Sequence, residues 1–473
     1  MTRPITRLFA LFVVLFAVLV AFTSRWTYFE APQLRAEPFN RRALLEELRV
    51  DRGQILASDG KTVLAKSVKA AAGTFRRVYP TGPLFVQTVG WSFPARGIPD
   101  TGTELYRRDA LLGKSDSIST AIGRLTGKRH TGNSVQTHLD SVAQAVAVRD
   151  LAGRPGSVVA LDPRTGAVRV MASVPDFLPS DLNAARTAPG SPLLNRATQG
   201  QYPPGSTFKV VTAVAAIDSG KYTPQSTVDG SSPQDFSSTP LNNDDGINYG
   251  PVDLTTALTN SVNTAWANVA VDVGRPTIAK YMRRFGFGSL PQLDYPSRQM
   301  TSSGAKIAGS GISPTDDRID VARLGIGQDK LVVTPLQMAE VAAAVANKGV
   351  LMKPRIADRI LDQDGRTMQR IAPAEQSRVM SEKTAAEVNL MMQRVVDEGT
   401  GTAASLDGVS VAGKTGTAQI DPTRNLTQPW FIAFAPADNP QVAIAVTVER
   451  SFGGFGGTVA APIARDVLEA LLR

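Results

Sequence analysis

Strand-forming residues stand at both ends of a long segment that reads mainly as helix in between. Two candidate strands, 157–161 (SVVAL) and 167–173 (AVRVMAS), flank the turn formers Asp162-Pro163-Arg164-Thr165-Gly166. Three more come late: 409–420, 430–435 and 442–448, the last two separated by Ala437-Asp438-Asn439-Pro440. Strands so far apart in a chain share one sheet only if the intervening elements are inserted into it. The helix signals lie where that requires. Thr334-Pro335-Leu336-Gln337 combines a capping threonine, proline at the first helical position and glutamine at the third, predicting a helix to about Ala346. Ser381 caps a second helix over 382–396, and 461–472 predicts a terminal helix. The expected class is α/β: a five-stranded antiparallel sheet flanked by helices, over 151–473.

The region before it is different. Residues 50–65 (VDRGQILASDGKTVLA) read as two short strands around Asp59-Gly60, a favoured hairpin turn, and residues 96–100 (RGIPD) as another turn. A strand followed by a helix from near Asp140 is expected over 133–151. No repeat and no concentrated chemistry occur here. Residues 30–150 read as a scaffold module.

Ahead of that module, residues 8–22 (LFALFVVLFAVLVAF) form an uncharged run of fifteen. Arg3 and Arg7 precede it, and Trp26, Tyr28 and Phe29 follow, the arrangement of a segment entering from the cytoplasmic side. Fifteen residues are short for a span of about 20, so a cleaved signal peptide competes. Ala21 is followed by Phe22 and Thr23 rather than by a small-x-small site, which favours an uncleaved anchor over 1–29. Either way the later residues lie outside the cytoplasm. With Arg473 directly after the terminal helix, no carboxyl-terminal module is expected.

Composition removes whole classes of chemistry. The chain has 473 residues and no cysteine, which excludes disulfides, thiolate metal sites and cysteine nucleophiles. Its two histidines, His130 and His138, leave almost no room for a histidine metal cluster or a Ser-His-Asp triad, and no metal or cofactor is expected. The net charge of +9 is spread without aromatic-interleaved basic runs, so nucleic acid is not an expected partner.

A nucleophilic serine would therefore need a base other than histidine. QYPPGSTFKVVTA, residues 201–213, sets Ser206 at the start of a helix with Lys209 one turn on. A lysine becomes a base only when burial or a second cation lowers its pKa. Taken alone, Ser206 reads more readily as an ordinary helix cap than as a nucleophile, and Ser-x-x-Lys recurs at Ser58/Lys61 and Ser303/Lys306. Two further motifs weigh in its favour. Ser261-Val262-Asn263, in a mainly helical stretch over 253–270, is the only Ser-x-Asn, and Lys414-Thr415-Gly416, on a late strand, is the only Lys-Thr-Gly. The order Ser-x-x-Lys, Ser-x-Asn, Lys-Thr-Gly is specific. Strand alternation puts Thr415 and Thr417 on one face and Lys414 on the other, so all three serve one cleft only on an edge or twisted strand. Gly413 and Gly416 would permit close approach of a helix or ligand. Trp430 reads as core or cleft wall. The polar stretch 225–249 reads as a long loop, a kind often found beside a site.

With these motifs the chain resembles class B penicillin-binding proteins, membrane-anchored D,D-transpeptidases of bacterial wall synthesis, and among them the actinobacterial penicillin-binding protein A group. NRATQGQYPPGSTFK (195–209), GIGQDKLVVTPLQMA (325–339), MRRFGFG (282–288) and DRGQILASDGKTVLA (51–65) carry the resemblance, which covers nearly the whole chain. It implies a fold shared with serine β-lactamases over 151–473 and, over 30–150, an elongated α+β module with a pedestal or dimerisation-like role. It implies that Ser206 attacks the penultimate D-Ala carbonyl of a stem peptide with Lys209 as base. Ser261 would relay the proton to the leaving amine, and Asn263 would hold Lys209 and the substrate backbone. Lys414 would keep the field positive and bind the substrate carboxylate with Thr415 and Thr417, beside Gly416. Backbone amides of Ser206 and Thr417 would form the oxyanion hole, a donor pair worth on the order of several kcal/mol. Implied partners are peptidoglycan stem peptides, β-lactams, the membrane, a polytopic glycan polymerase and other wall-synthesis proteins. A serine β-lactamase, a D,D-carboxypeptidase and a non-catalytic scaffold are the competing readings. The first needs a deacylating acidic residue that no motif here supplies.

Overall fold

The computed structural model describes residues 2–30, 41–114 and 131–473; His130 and parts of the 30–150 module lie outside them. Thr2–Ser24 is one helix. The candidate span Arg3–Tyr28 has 26 residues, and its most apolar 18-residue window has a mean hydropathy of 2.7. At 1.5 Å per residue it reaches about 39 Å, so the flanking residues make up the length that the fifteen-residue run lacks, and the helix fits a membrane anchor.

Five antiparallel strands form the main sheet in the order Ala412–Asp421, Leu426–Ala435, Val442–Val448, Gly156–Leu161, Val168–Val174. Both ends of the 151–473 segment thus meet in one sheet. A two-residue strand, Ser451–Phe452, adds a short pairing to Leu426–Ala435. Both faces are covered. Val158, Val170, Ile444 and Val446 pack with Ala147 of the Ser141–Leu151 helix and with Ile463, Val467 and Leu468 of the Ala461–Leu472 helix. On the other face Val159, Met171, Ile432 and Ala445 meet the Pro335–Ala346 helix, buried at every position. This two-sided burial explains why the strands read as near-continuous apolar runs, and the core helix as apolar all round.

Thr334 caps that core helix, its side chain accepting from Gln337 N. Ser381 accepts from Thr384 N at the head of Glu382–Asp397. Asp140 accepts from Val142 N and Ala143 N at the head of Ser141–Leu151.

A second sheet has six strands, in the order Thr367–Arg370, Ala357–Leu361, Ser134–Thr137, Ile55–Leu56, Val63–Lys69, Phe75–Val78. Ile55–Leu56 and Val63–Lys69 are the expected hairpin, its turn tied by Asp59 Oδ1, which accepts from Lys61 N and Thr62 N. Two strands from late in the chain complete this sheet. Asp294 fastens the join: it accepts from Ile356 N and Ala357 N and pairs with Arg107.

One expectation needs correction. Residues 225–249 are not one open loop: Thr227–Asp229 pairs with Pro251–Asp253, and Gln234–Phe236 with Thr239–Leu241. The stretch 253–270 is mainly helical, as expected, but in two pieces. Leu254–Thr259 and Asn263–Val273 are separate helices, broken where Ser261 takes a φ of 57°. Left-handed backbone there turns the Ser261 segment inward and restarts the chain as a new helix.

Candidate active site

QYPPGST enters the site clamped from two sides. Tyr202 exchanges backbone hydrogen bonds with Val333, and Gly205 N donates to Gly327 O at 2.9 Å. Gly205 has a φ of 54°, and a Cβ there would stand 3.0 Å from the Thr417 carbonyl carbon. Gly416 is as constrained, since its Cβ would stand 2.8 Å from Pro204 O. Paired glycines therefore let the Ser206 segment lie directly against the Lys414 strand. Gly413 serves another contact, leaving room for the Phe431 ring on the neighbouring strand. Trp430 is fully buried and its Nε1 donates to Pro203 O at 3.0 Å, so it pins the entry as well as filling the core.

Ser206 sits in a one-turn 3-10 stretch, Gly205–Phe208, and the α-helix proper is Lys209–Asp218. The helix-cap reading of Ser206 is corrected: no side-chain cap hydrogen bond is made at either start. Partly exposed Ser206 leaves its hydroxyl free for a ligand.

Lys209 is fully buried. Its Nζ donates to Ser261 O at 2.7 Å and Asn263 Oδ1 at 2.7 Å, and lies 3.3 Å from Ser261 Oγ. Burial first, and then the charge of Lys414, holds its pKa well below the ordinary lysine range, against the pull of Asp244. Asn263 is oriented by the 225–249 segment, its Nδ2 donating to Asn242 O at 3.1 Å and Asp244 Oδ1 at 3.3 Å.

Lys414 is also fully buried, and burial brings its pKa down to about 7. Its Nζ lies 3.1 Å from Thr415 O and 3.3 Å from Thr415 Oγ1. Thr415 Oγ1 is 2.6 Å from Thr400 Oγ1, and Thr417 Oγ1 accepts from Gly456 N at 3.1 Å. Ala412–Asp421 is an edge strand of the main sheet, the condition under which both of its faces and its rim can serve one cleft.

The structure therefore brings the Ser206 segment, Lys209, Ser261, Asn263 and the Lys414–Thr417 strand together. Among the described residues no group of three or more His, Asp or Glu side chains could hold a metal. Sequence reasoning missed the clamp from Val333 and Gly327, although 325–339 carried part of the family resemblance. It also missed the contacts of Asn242 and Asp244 with Asn263, for which the polar composition of 225–249 was the available signal.

Comparison with known proteins points to one family. Residues 156–469 match the penicillin binding protein transpeptidase domain, and residues 52–135 match the penicillin binding protein A dimerisation domain. The peptidoglycan D,D-transpeptidase PbpA of Mycolicibacterium smegmatis is 35% identical, with 100% of this chain and 99% of the relative covered. That of Mycobacterium tuberculosis H37Rv is 34% identical over 94% of each. The penicillin G acyl-enzyme complex of M. tuberculosis penicillin-binding protein A has a TM-score of 0.79 at 30% identity, covering 89% of this chain and 100% of that one. The imipenem acyl-enzyme complex of the same protein has a TM-score of 0.80 at 30% identity, covering 91% and 100%. On its motifs, its sheet and these matches, the chain belongs to the penicillin-binding protein transpeptidase family.

Proposed function

We propose that the chain is a peptidoglycan D,D-transpeptidase that cross-links stem peptides through an acyl-enzyme on Ser206 and is acylated there by β-lactams. The single observation that carries this reading is the buried Lys209 amine, held by Ser261 and Asn263 beside a second buried lysine. A neutral amine has two N–H groups and one lone pair. The two 2.7 Å acceptors use both N–H groups, which leaves the lone pair to take a proton.

Lys209 takes the Ser206 hydroxyl proton as Oγ attacks the penultimate D-Ala carbonyl. Oxyanion charge falls on the Ser206 and Thr417 amides. Thr417 stands opposite Pro429, whose carbonyl accepts from Thr447 Oγ1 on the far side. Backbone groups of such a pair point apart, which supports a Thr417 N–H turned to the free edge. The proton passes through the Ser261 hydroxyl to the leaving nitrogen, the C–N bond breaks, and D-Ala departs. An acceptor amine then attacks the ester, returns its proton along the same path, and releases Ser206. Lys414, with Thr415 and Thr417 beside Gly416, binds the terminal carboxylate.

Residues 1–29 are the cytoplasmic tail and anchor, 30–150 the non-catalytic module and 151–473 the transpeptidase domain. With Arg3 and Arg7 ahead of the apolar run, the amino terminus is cytoplasmic and the catalytic domain extracytoplasmic. A membrane-embedded glycan polymerase and other wall-synthesis proteins are its partners, through the anchor and the amino-terminal module.

Intact mass after incubation with penicillin tests the reading. A long-lived adduct is expected, abolished in Ser206→Ala with thermal unfolding nearly unchanged. Rapid turnover without a persistent adduct would instead mark a β-lactamase. A folded protein that gives neither adduct nor turnover would overturn the mechanism. Product analysis with a donor peptide and an amine acceptor separates transpeptidation from hydrolysis.

A further inference from the structure

The site holds two buried lysines, and one carboxylate acts on both. Asp244 lies in the short turn Asp244–Gly246, exposed to solvent, on a segment that is firmly tied down. Buried Asn243 donates from Nδ2 to Gly230 O and Ile247 O, each at 2.9 Å. Its Oδ1 accepts from Thr264 N at 3.0 Å and Thr264 Oγ1 at 3.1 Å, in the first turn of the helix that begins with Asn263. Asp244 is thereby held where its Oδ1 accepts from Asn263 Nδ2 at 3.3 Å. An amide whose NH2 is engaged on this side must turn its oxygen to the other, and there Lys209 Nζ donates to it.

We propose that Asp244 is a positioning residue for acylation: its carboxylate fixes the Asn263 amide with Oδ1 toward Lys209 and supplies the negative charge that the two active-site lysines share. This rests on the transpeptidase reading above. The charged and titratable groups facing Asp244 are Lys209 and Lys414 across the cleft, with Asp245 and Tyr249 on its own segment. Burial lowers both lysines, and Asp244 opposes it at each. Acylation needs Lys209 neutral and Lys414 charged. The acid limb of the rate profile therefore follows Lys209 and the alkaline limb Lys414, the two behaving as a coupled pair. Loss of the Asp244 charge makes both amines easier to deprotonate. Both limbs then move toward lower pH, whereas a merely structural defect would lower the whole curve without moving it.

The test is the second-order rate of acylation of the full chain by a labelled penicillin, measured against pH in detergent. For Asp244→Asn, which keeps an oxygen for Asn263, both limbs are expected to move down by roughly half a unit. The rate becomes about threefold higher on the acid limb and about threefold lower on the alkaline limb. Asp244→Ser should move them equally, and Asp244→Glu should return them toward wild type. Unmoved limbs in both Asp244→Asn and Asp244→Ser, with the wild type acylated normally, overturn the proposal whatever happens to the plateau. A wild type that takes up no penicillin refutes the transpeptidase reading itself, a distinct result.

Discussion

Two groups of buried charges sit in this chain and solve opposite problems. In the amino-terminal module Glu104, fully buried, receives two guanidinium groups. Arg77 Nε lies 2.6 Å from its Oε1 and Arg52 Nε 2.9 Å from its Oε2. Arg52 also pairs with Asp100 at 3.2 Å and donates to Ser92 Oγ at 2.9 Å, while Arg77 donates to Arg52 O at 3.0 Å. Burial opposes the Arg52 charge, but Glu104, Asp100 and Glu47 outweigh it and raise its pKa. In the candidate site Lys209 and Lys414 are equally buried, but among the described residues neither has a carboxylate partner within salt-bridge distance, and Lys414 depresses Lys209 further. Opposite charges brought together fix a shape. Like charges buried without a direct carboxylate partner yield a reactive amine.

Removing a charge from each group should break the comparison in opposite directions. Lys209→Met is expected to slow penicillin acylation by roughly a thousandfold or more, while the melting temperature changes little, because removing a buried amine that lacks a direct carboxylate partner offsets the donors lost to Ser261 O and Asn263 Oδ1. Glu104→Ala is expected to destabilise the chain by about 3–5 kcal/mol in denaturant titrations, since two buried guanidinium groups lose their partner. Acylation per folded molecule should stay near wild type. A Glu104 variant with unchanged stability, or a Lys209 variant with a markedly lower melting temperature, would erase the distinction.

Lys414 supplies a pH-dependent version of the same contrast. Its pKa of about 7 in the folded state lies below the ordinary lysine value of 10.5, so between those values the unfolded chain binds more protons. Stability from this group therefore rises with pH across that window and is level below it. Lys414→Met should be more stable than wild type near neutrality, by an amount on the order of a few kcal/mol. The gap should close as pH approaches the unfolded value. A constant gap in melting temperature across this range would mean that Lys414 is compensated after all.

The difference between the regions also explains what the sequence revealed. Strand and helix positions around the main sheet were legible because burial on both faces demands apolar runs, and because Thr334, Ser381 and Asp140 announce their helices with side chains that cap them. The site motifs were legible as residue types in order. Their geometry was less so. The left-handed turn at Ser261 has no glycine to signal it, and the 3-10 start at Ser206 resembles an ordinary cap. Ala357–Leu361 and Thr367–Arg370 escaped notice because the first is only partly buried and the second exposed throughout, leaving no alternation to read. The Arg52–Glu104–Arg77 group was invisible for another reason. Its members are spread along the chain, and single arginines and glutamates read as surface until the fold assembles them.

A finer substitution asks whether charge or shape matters in the paired group. Arg77→Lys keeps the positive charge but cannot reproduce the guanidinium fork, which reaches Glu104 through Nε and Arg52 O through Nη1. If pairing alone sustained the module, this change would be silent. Because the two contacts leave one planar group in different directions, a point charge on a flexible stem satisfies only one of them. The expected loss is about 1–2 kcal/mol of stability in urea titrations, from one buried acceptor left without its donor. Acylation kinetics should not change, since Arg77 belongs to the amino-terminal sheet and the reacting groups to the main sheet and its helices. An unchanged midpoint would mean that the group works by charge alone, and would bring it closer in kind to the lysine pair than its geometry implies.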